Sequence, residues 1–257
     1  MIRPGAKSKR RIASARTGRN AAPATGAASS APTTADAAVR AVVFDWDGTL
    51  LDSYHADATA YQKMFHALGI EWGMEVLEKH YSPNWHRVYR AAGIPRRRWA
   101  EADRLWRKAY AHLRPVLMPG ARRVLRQLAR GYVLGLVTSG NRTRVSGQLR
   151  KFGFTKVFHA AVFAEDARRR KPHPAPLVLA LERMRVKPHE CIYVGDSPED
   201  IEMAQRAGVR AIAVLGPFPN HKRLRAAEAD ALLKSLEELP GELRRSGPFL
   251  ASRRKDS

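Results

Sequence analysis

"AVVFDWDGTLLDS", residues 41–53, runs from four apolar residues straight into two acids one residue apart, Asp45 and Asp47, and then into a glycine and a threonine. Ala41 to Phe44 have the length and branching of a strand covered on both faces, as in a parallel sheet. Two carboxylates at its end would place charge where open α/β sheets hold ligands, outside the carboxyl ends of their strands. Asp47 and Gly48 also have the composition of a plain turn. What the other strand ends carry therefore decides the reading.

Residues 54 to about 114 read as helix without strand. "YHADATAYQKMFHALGI" sets Tyr54, Ala58, Tyr61, Phe65 and Leu68 three or four apart, and "RWAEADRLWRKAYAHL" repeats the pattern with Trp99, Leu105, Trp106, Tyr110 and Leu113. These aromatic stripes are expected to be core. Pro119 and Gly120 open a helix over "GARRVLRQLARG" that Gly131 closes, and the strand "YVLGLVT" follows. Then come a helix at 142–152, the short apolar "AAVFA", a helix after Pro174, the strand "CIYVGD", a helix at 198–207 and the strand "AIAVLG". The alternation predicts an α/β fold of three layers, a Rossmann-like parallel sheet with right-handed crossovers and an α-helical insertion after the first strand.

Composition limits what such a fold could serve. At 257 residues the chain can bury a substantial core, and no apolar run approaches the roughly 18 residues of a membrane span. The single cysteine, Cys191, excludes a disulfide framework and a cysteine-rich zinc site, and a reducing, cytoplasmic compartment fits it. The net charge of +22 raises nucleic acid as a partner. Residues 1–40 hold +7 of it and residues 241–257 hold +3, which leaves +12 spread along the middle. The candidate patches "KSKRR" (7–11), "RRR" (96–98) and "RRRK" (168–171) have solvated faces as their plain explanation. Residues 1–38, rich in Ala, Ser, Thr, Pro and Gly, are expected to be a disordered basic tail, with an organellar transit peptide as the alternative.

The later strand ends repeat the theme of the first. "YVLGLVT" ends in "TSGN", which offers the hydroxyls of Thr138 and Ser139 and, through Gly140 and Asn141, a helix start with free N–H groups. "CIYVGD" ends in "GDSPED" and delivers Asp196 and, one turn later, Asp200. "RRRKPHPAP" brings Lys171, held extended by the following proline. Each has an ordinary explanation alone, as a cap or a surface lysine. Together they set carboxylates, a hydroxyl and a cation at one edge of a parallel sheet.

Asp45 and Asp47 in "DWDGT", Thr138 in "LVTSGN", Lys171 in "RKPHP" and Asp196 with Asp200 in "GDSPED" resemble the four ordered motifs of the haloacid dehalogenase-like (HAD) phosphohydrolase superfamily. The resemblance covers roughly residues 41–235, and "FDWDGTLLDS" with "LMPGARRVLRQL" is most like the phosphoglycolate phosphatase group. It implies an α/β core from residues 39–53 and 115–240, a small helical cap from residues 54–114, and a basic tail at 241–257. It also implies Mg²⁺ and an aspartyl-phosphate intermediate, with Asp45 as nucleophile and Asp47 as the acid that protonates the leaving oxygen and then activates water. On that pattern the metal takes Asp45, the backbone carbonyl of Asp47, and Asp196, while Asp200 holds the loop or metal waters. Thr138 and Lys171 would bind the phosphoryl oxygens, helped by the loop Ser139, Gly140 and Asn141.

An acid at position 47 matches the phosphatase and phosphomutase branches, because the dehalogenase and phosphonoacetaldehyde hydrolase branches lack one there. The implied partner is a small anionic phosphate ester, with phosphoglycolate the favourite, and the implied assembly is a monomer or homodimer. Arg87, Arg90 and Arg96 to Arg98 in the helical insertion either favour an anionic, carboxylate-bearing leaving group or are simply solvent-facing. The alternatives are a sugar phosphomutase of the same fold and a non-enzymatic RNA- or polyanion-binding protein that uses the basic ends.

Overall fold

The computed structural model describes residues 38–245. Nearly all of the two expected tails lies outside the described residues, and with them the polyanion-binding and transit-peptide readings. Eight strands form: β1 (Ala41–Phe44), β2 (Leu51–Asp52), β3 (Val116–Leu117), β4 (Val133–Val137), β5 (Ala160–Val162), β6 (Cys191–Gly195), β7 (Arg210–Val214) and β8 (Ala231–Leu233). Six of them make one sheet in the order β5-β4-β1-β6-β7-β8, parallel throughout. β1 is central, with Phe44 in register with Leu136 of β4 and Val194 of β6, so these three strands end side by side. β2 and β3 pair antiparallel as a two-residue ribbon, too short to show in a hydrophobic pattern.

Between β2 and β3 the chain is helical: α1 (Tyr54–Leu68), α2 (Met74–His80), α3 (Trp85–Ala91) and α4 (Trp99–Tyr110). α1 stops at Gly69, which takes φ 74°, and the N–H groups of Gly69 and Ile70 close onto the carbonyls of His66 and Phe65. These helices bury their own apolar cluster, including Tyr61, Met64, Phe65, Leu77, Val88 and Tyr89. The segment is sewn to the sheet by rings and by one buried acid. Tyr81 stacks on Phe218 at 4.7 Å, and Glu199 accepts from the Ser82 hydroxyl at 2.8 Å and pairs with Arg87 at 3.5 Å.

α5 (Ala121–Leu128), α6 (Arg142–Phe152), α7 (Ala175–Met184), α8 (Pro198–Arg206), α9 (His221–Arg225) and α10 (Leu239–Arg245) complete the described helices. Alternation along the strands decides which helix covers which face. Val42, Phe44, Leu134, Leu136, Ile192 and Val194 face α5, α6 and α10, while Ala41, Val43, Val137 and Tyr193 face α7, α8 and α9. The result is the three-layer α/β arrangement. Phe44 is wholly buried, so its truncation to alanine would cost ~3–5 kcal/mol. α10 carries Leu239 and Leu243 into the core and so runs across the boundary expected at residue 240.

Candidate active site

Four separate sequence motifs converge at the carboxyl ends of β1, β4 and β6. Lys171, from the loop before α7, donates from Nζ to Asp45 Oδ1 at 2.6 Å, to Asp200 Oδ1 at 2.7 Å and to the Tyr193 hydroxyl at 2.8 Å. The Tyr193 hydroxyl in turn donates to Asp200 Oδ1 at 2.8 Å. The other oxygen of Asp200 accepts from the backbone N–H and hydroxyl of Ser197, at 3.1 and 2.6 Å. Ser197 in turn caps α8, and Pro198 sits at its first turn, so the sequence "DSPED" builds a helix start whose capping acid is also a site acid. Asp196 accepts from the Thr49 hydroxyl at 2.8 Å. Gly48 takes φ 89°, and a Cβ there would run into the Asp196 carboxylate, so only glycine lets β1 turn so close to β6.

Asp45, Asp196 and Asp200 can bring one oxygen each within 4.8 Å of one another, all buried. Three carboxylates against the single Lys171 ammonium leave two negative charges without a counter-charge. Burial is the largest influence on Asp45 and lifts its carboxyl to about 7 against the pull of Lys171. Burial, then the neighbouring Asp45 and Asp200, push Asp196 well above the ordinary carboxylate range. A hard divalent cation would supply the missing charge, and the all-oxygen donor set fits Mg²⁺. Asp45 gives one oxygen to Lys171 and Asp196 gives one to Thr49, so each keeps a second oxygen, whereas both oxygens of Asp200 are engaged.

The structure brings Asp47 to the same mouth and gives it a partner the sequence did not suggest. Arg144, in the first turn of α6, donates two parallel bonds to Asp47, at 2.8 and 2.6 Å. Its guanidinium also lies 5.0 Å from the Tyr110 ring centroid. The carboxylate of Asp47 thus stands apart from the three-acid cluster. Asn141 caps α6 by accepting from the Arg144 N–H at 2.9 Å. Thr138 Oγ1 accepts from the Gly140 N–H at 2.9 Å, so this hydroxyl shapes the loop. Ser139, Gly140 and Asn141 line the cavity above the acids. The Lys171–Pro172 peptide bond is cis.

That cavity, about 250 Å³, is floored by the acids and walled by the helical segment. Tyr61, Tyr81, Trp85, Tyr89 and Trp106 line it, with Phe218 from the loop after β7. The expectation that the aromatic stripes are core needs correction, because Tyr61 and Trp106 belong to the core and also face the cavity. Their rings are wide enough to do both. Of the two readings of the helical arginines the structure favours the solvent-facing one, since Arg87, Arg90 and Arg96 to Arg98 are not among the residues lining the cavity. Arg87 pairs with Glu199, Arg90 bonds the His86 carbonyl, Arg96 lies over Trp99 and Arg98 pairs with Glu101.

The cavity arginines are Arg107, Arg144 and Arg170. Asp57 of α1 is another residue not foreseen. Its carboxyl is pushed up to about 7, chiefly by burial, against the lowering influence of the Tyr81 hydroxyl. A lone acid inside an aromatic stripe was the signal available for it. A tyrosine hydroxyl amid the apolar β6 run, which needs a partner when buried, was the signal for Tyr193.

Comparison with known proteins agrees with this geometry. Residues 42–214 match the family model of the haloacid dehalogenase-like hydrolases. Phosphoglycolate phosphatase of Escherichia coli K12 is 30% identical over 78% of this chain and 91% of its own length. Validoxylamine A 7'-phosphate phosphatase of Streptomyces hygroscopicus subsp. limoneus is 31% identical over 78% of this chain and 95% of its own. Among solved structures, CbbY from Rhodobacter sphaeroides in complex with phosphate is 26% identical, with a TM-score of 0.69 over 78% of this chain and 96% of that one. The family match takes in β1 to β7, the motif acids and the helical segment, and the chain belongs to the haloacid dehalogenase-like hydrolases as one of that family's phosphatases.

Proposed function

We propose that the chain hydrolyses a small phosphomonoester through a phosphoryl group carried on Asp45, with Mg²⁺ as cofactor. The observation that carries this reading is the triple hydrogen bond of Lys171, which ties Asp45, Asp200 and Tyr193 into one buried cluster beside Asp196. Asp45, Asp196 and the backbone of Asp47 would hold the metal, with Asp200 orienting its surroundings. When bound, the ion offsets the carboxylate charge and that of the phosphoryl group.

Asp45 supplies an oxygen to phosphorus, and the bond from phosphorus to the leaving oxygen breaks. Asp47, protonated on one oxygen while the other stays on Arg144, gives the leaving oxygen its proton, and this opens one of the two bonds to Arg144. In the second half Asp47 takes a proton from water as the water oxygen bonds to phosphorus. The bond to Asp45 then breaks and inorganic phosphate leaves. The N–H groups at the start of α6, with Ser139 and Asn141, are placed to hold the phosphoryl oxygens. Lys171 opposes the protonation of Asp45 that burial favours, and Thr138 contributes through the loop it bonds.

The leaving group is less constrained. The names of the relatives favour phosphoglycolate, with validoxylamine A 7'-phosphate as the other substrate they name. The test of the reaction is Mg²⁺-dependent phosphate release from an aryl phosphate, with acid-quenched protein searched by mass spectrometry for phosphate on the peptide holding Asp45. Wild type should turn over and the Asp45→Asn chain should not. Turnover that survives Asp45→Asn would remove the nucleophile assignment.

A further inference from the structure

We propose that Tyr110 and Gln148 are positioning residues for the acid of the reaction: they fix the Arg144 guanidinium, and Arg144 fixes the carboxyl of Asp47. The inference rests on the phosphatase reading and adds to it two residues that lie outside the four motifs.

Asp47 stands partly exposed at the mouth of the site. Among the described residues both hydrogen bonds to its carboxylate come from Arg144, at 2.8 Å from Nη1 and 2.6 Å from Nη2. Where this carboxyl points is therefore decided by where the guanidinium lies. An acid protonates a leaving oxygen only within hydrogen-bond reach of it, so the orientation enters the rate. An arginine side chain carries about 2 kcal/mol of rotamer entropy, and holding it in one orientation requires contacts that offset the loss.

Those contacts come from three elements. Gln148 lies one turn after Arg144 on α6, so the two side chains share a face of the helix. Gln148 Oε1 accepts from the Trp46 indole N–H at 2.8 Å and from Arg144 Nη1 at 3.4 Å, and its Nε2 donates to the Tyr110 hydroxyl at 3.4 Å. That hydroxyl also accepts from Arg144 Nη1 at 3.4 Å. Trp46, wholly buried and set between the two acids of the first motif, anchors the amide. With the carbonyl end of Gln148 facing two donors, its NH₂ end is left for Tyr110. From α4, the Tyr110 and Trp106 rings stack on each other at 4.7 Å and lie 5.0 and 5.8 Å from the guanidinium. A cation over ring faces is held more strongly where water is excluded, and Tyr110 is buried.

The 3.4 Å bonds are long, and each is weak alone. Nη1 has two hydrogens, and one of them goes to Asp47, so Tyr110 and Gln148 share the other. One acceptor comes from α4 and one from α6. A hydrogen held between acceptors on two elements sets the tilt of the planar fork, and the tilt aims the paired bonds at Asp47.

The experiment separates protonation of the leaving group from the later steps. kcat/KM covers the reaction up to departure of the leaving group. It is measured for para-nitrophenyl phosphate, whose leaving group needs little protonation, and for the fastest alkyl ester among phosphoglycolate, a glycerol phosphate and a hexose phosphate. The full chain carrying Tyr110→Phe or Gln148→Leu, with Mg²⁺ and with folding checked by its unfolding midpoint, should lose about tenfold on the alkyl ester and less than about threefold on the aryl ester. In an Arg144→Lys chain, adding Tyr110→Phe should leave the ratio of the two esters unchanged, because its route to Asp47 is already broken. A merely structural role lowers both esters alike. Equal losses on the two esters would thus overturn the inference, as would a Tyr110→Phe effect of the same size with and without Arg144→Lys. Tyr110→Phe keeps the ring and its stacking, so it decides the matter where Gln148→Leu fails to fold. Turnover of the aryl ester alone by wild type would mean that no acid serves the leaving group and would overturn it too. Wild type that releases phosphate from none of these esters would overturn the phosphatase reading, and this inference with it.

Discussion

The floor and the wall of the cavity are built on opposite plans. On the floor, Lys171, Asp200, Tyr193, Ser197 and Thr49 form a closed set in which hydrogen bonds reach from element to element. On the wall, Tyr61, Tyr81, Trp85, Tyr89, Trp106 and Phe218 present broad ring faces to the cavity. A dense hydrogen-bonded network fixes atoms to the tolerance that a displacement at phosphorus requires. Ring faces impose shape more than direction, so they select a ligand by how it fills the space between them. The floor should thus set whether reaction occurs, and the wall which ester is chosen.

Substitutions on the floor should have the largest effects. On the proposed mechanism Asp45→Asn removes the attacking group and should lower kcat by on the order of 10⁴-fold or more with every ester. Lys171→Met should remove activity and also destabilise the fold, because three buried carboxylates lose their one cation. Breaking a buried pair in this way costs roughly 3–5 kcal/mol, to be read from urea unfolding in chelator. Added Mg²⁺ should recover part of the loss. A stability unchanged within about 0.5 kcal/mol would mean that the carboxylates already take up protons when unpaired.

The same cluster predicts how pH and metal interact. Asp45 and Asp196 both have carboxyls raised above their unfolded values, Asp45 to about 7. In the metal-free chain the folded state holds protons that the unfolded state has already lost. Their stabilising contribution is thus complete below about pH 4 and drains away as pH rises through about 7. Mg²⁺ binding needs both groups ionised and so releases protons. The stability gained from a fixed Mg²⁺ concentration should grow as pH is raised from about 6 to about 8, measured as the shift in unfolding midpoint against chelator. An increment that does not change over that window would show that the acids are already ionised without metal.

How much of this was legible in the sequence follows the same division. The floor was readable because its members sit at strand ends in runs whose patterning is strong: "AVVF" before Asp45, "YVLGLV" before Thr138, "CIYVG" before Asp196. The helix expected at 142–152 has those bounds in the structure. What escaped depends on packing between distant segments. Arg144 meets Asp47 across 97 residues, and no local pattern joins them. The wall failed for a related reason, since a helix carries its aromatics on one broad stripe whether the stripe faces a core or a cavity. Tyr61 does both at once. β8 and α10 were missed because three residues and seven residues give too little periodicity to read.

Arg144 stands where floor and wall meet, and a variant there sharpens the distinction. Its fork holds both oxygens of Asp47, a geometry that lysine cannot copy. Arg144→Lys should lower kcat by roughly ten- to a hundredfold through misplacement of Asp47. KM for a given ester should change less than kcat. A KM effect that dominates, and differs between esters, would move Arg144 to the wall.

The smallest effect is expected at Asn141, whose side chain caps α6 by accepting from the N–H of Arg144 at 2.9 Å. Asn141→Ala removes one cap bond and should cost ~1 kcal/mol of stability, at the middle of the range for such caps. α6 carries Arg144, and its start faces the phosphoryl position, so fraying of its first turn should also lower kcat several-fold, on the order of 1 kcal/mol in barrier. Because every ester presents the same phosphoryl group, the loss should be equal across esters, and the ratio of kcat/KM between a ring polyol phosphate and phosphoglycolate should not move. Asn141→Ser, which can still cap, should recover most of the stability. A ratio that shifts with Asn141→Ala would place this loop in contact with the leaving group. The wall would then extend down to the start of α6, and the separation of floor from wall would fail at that point.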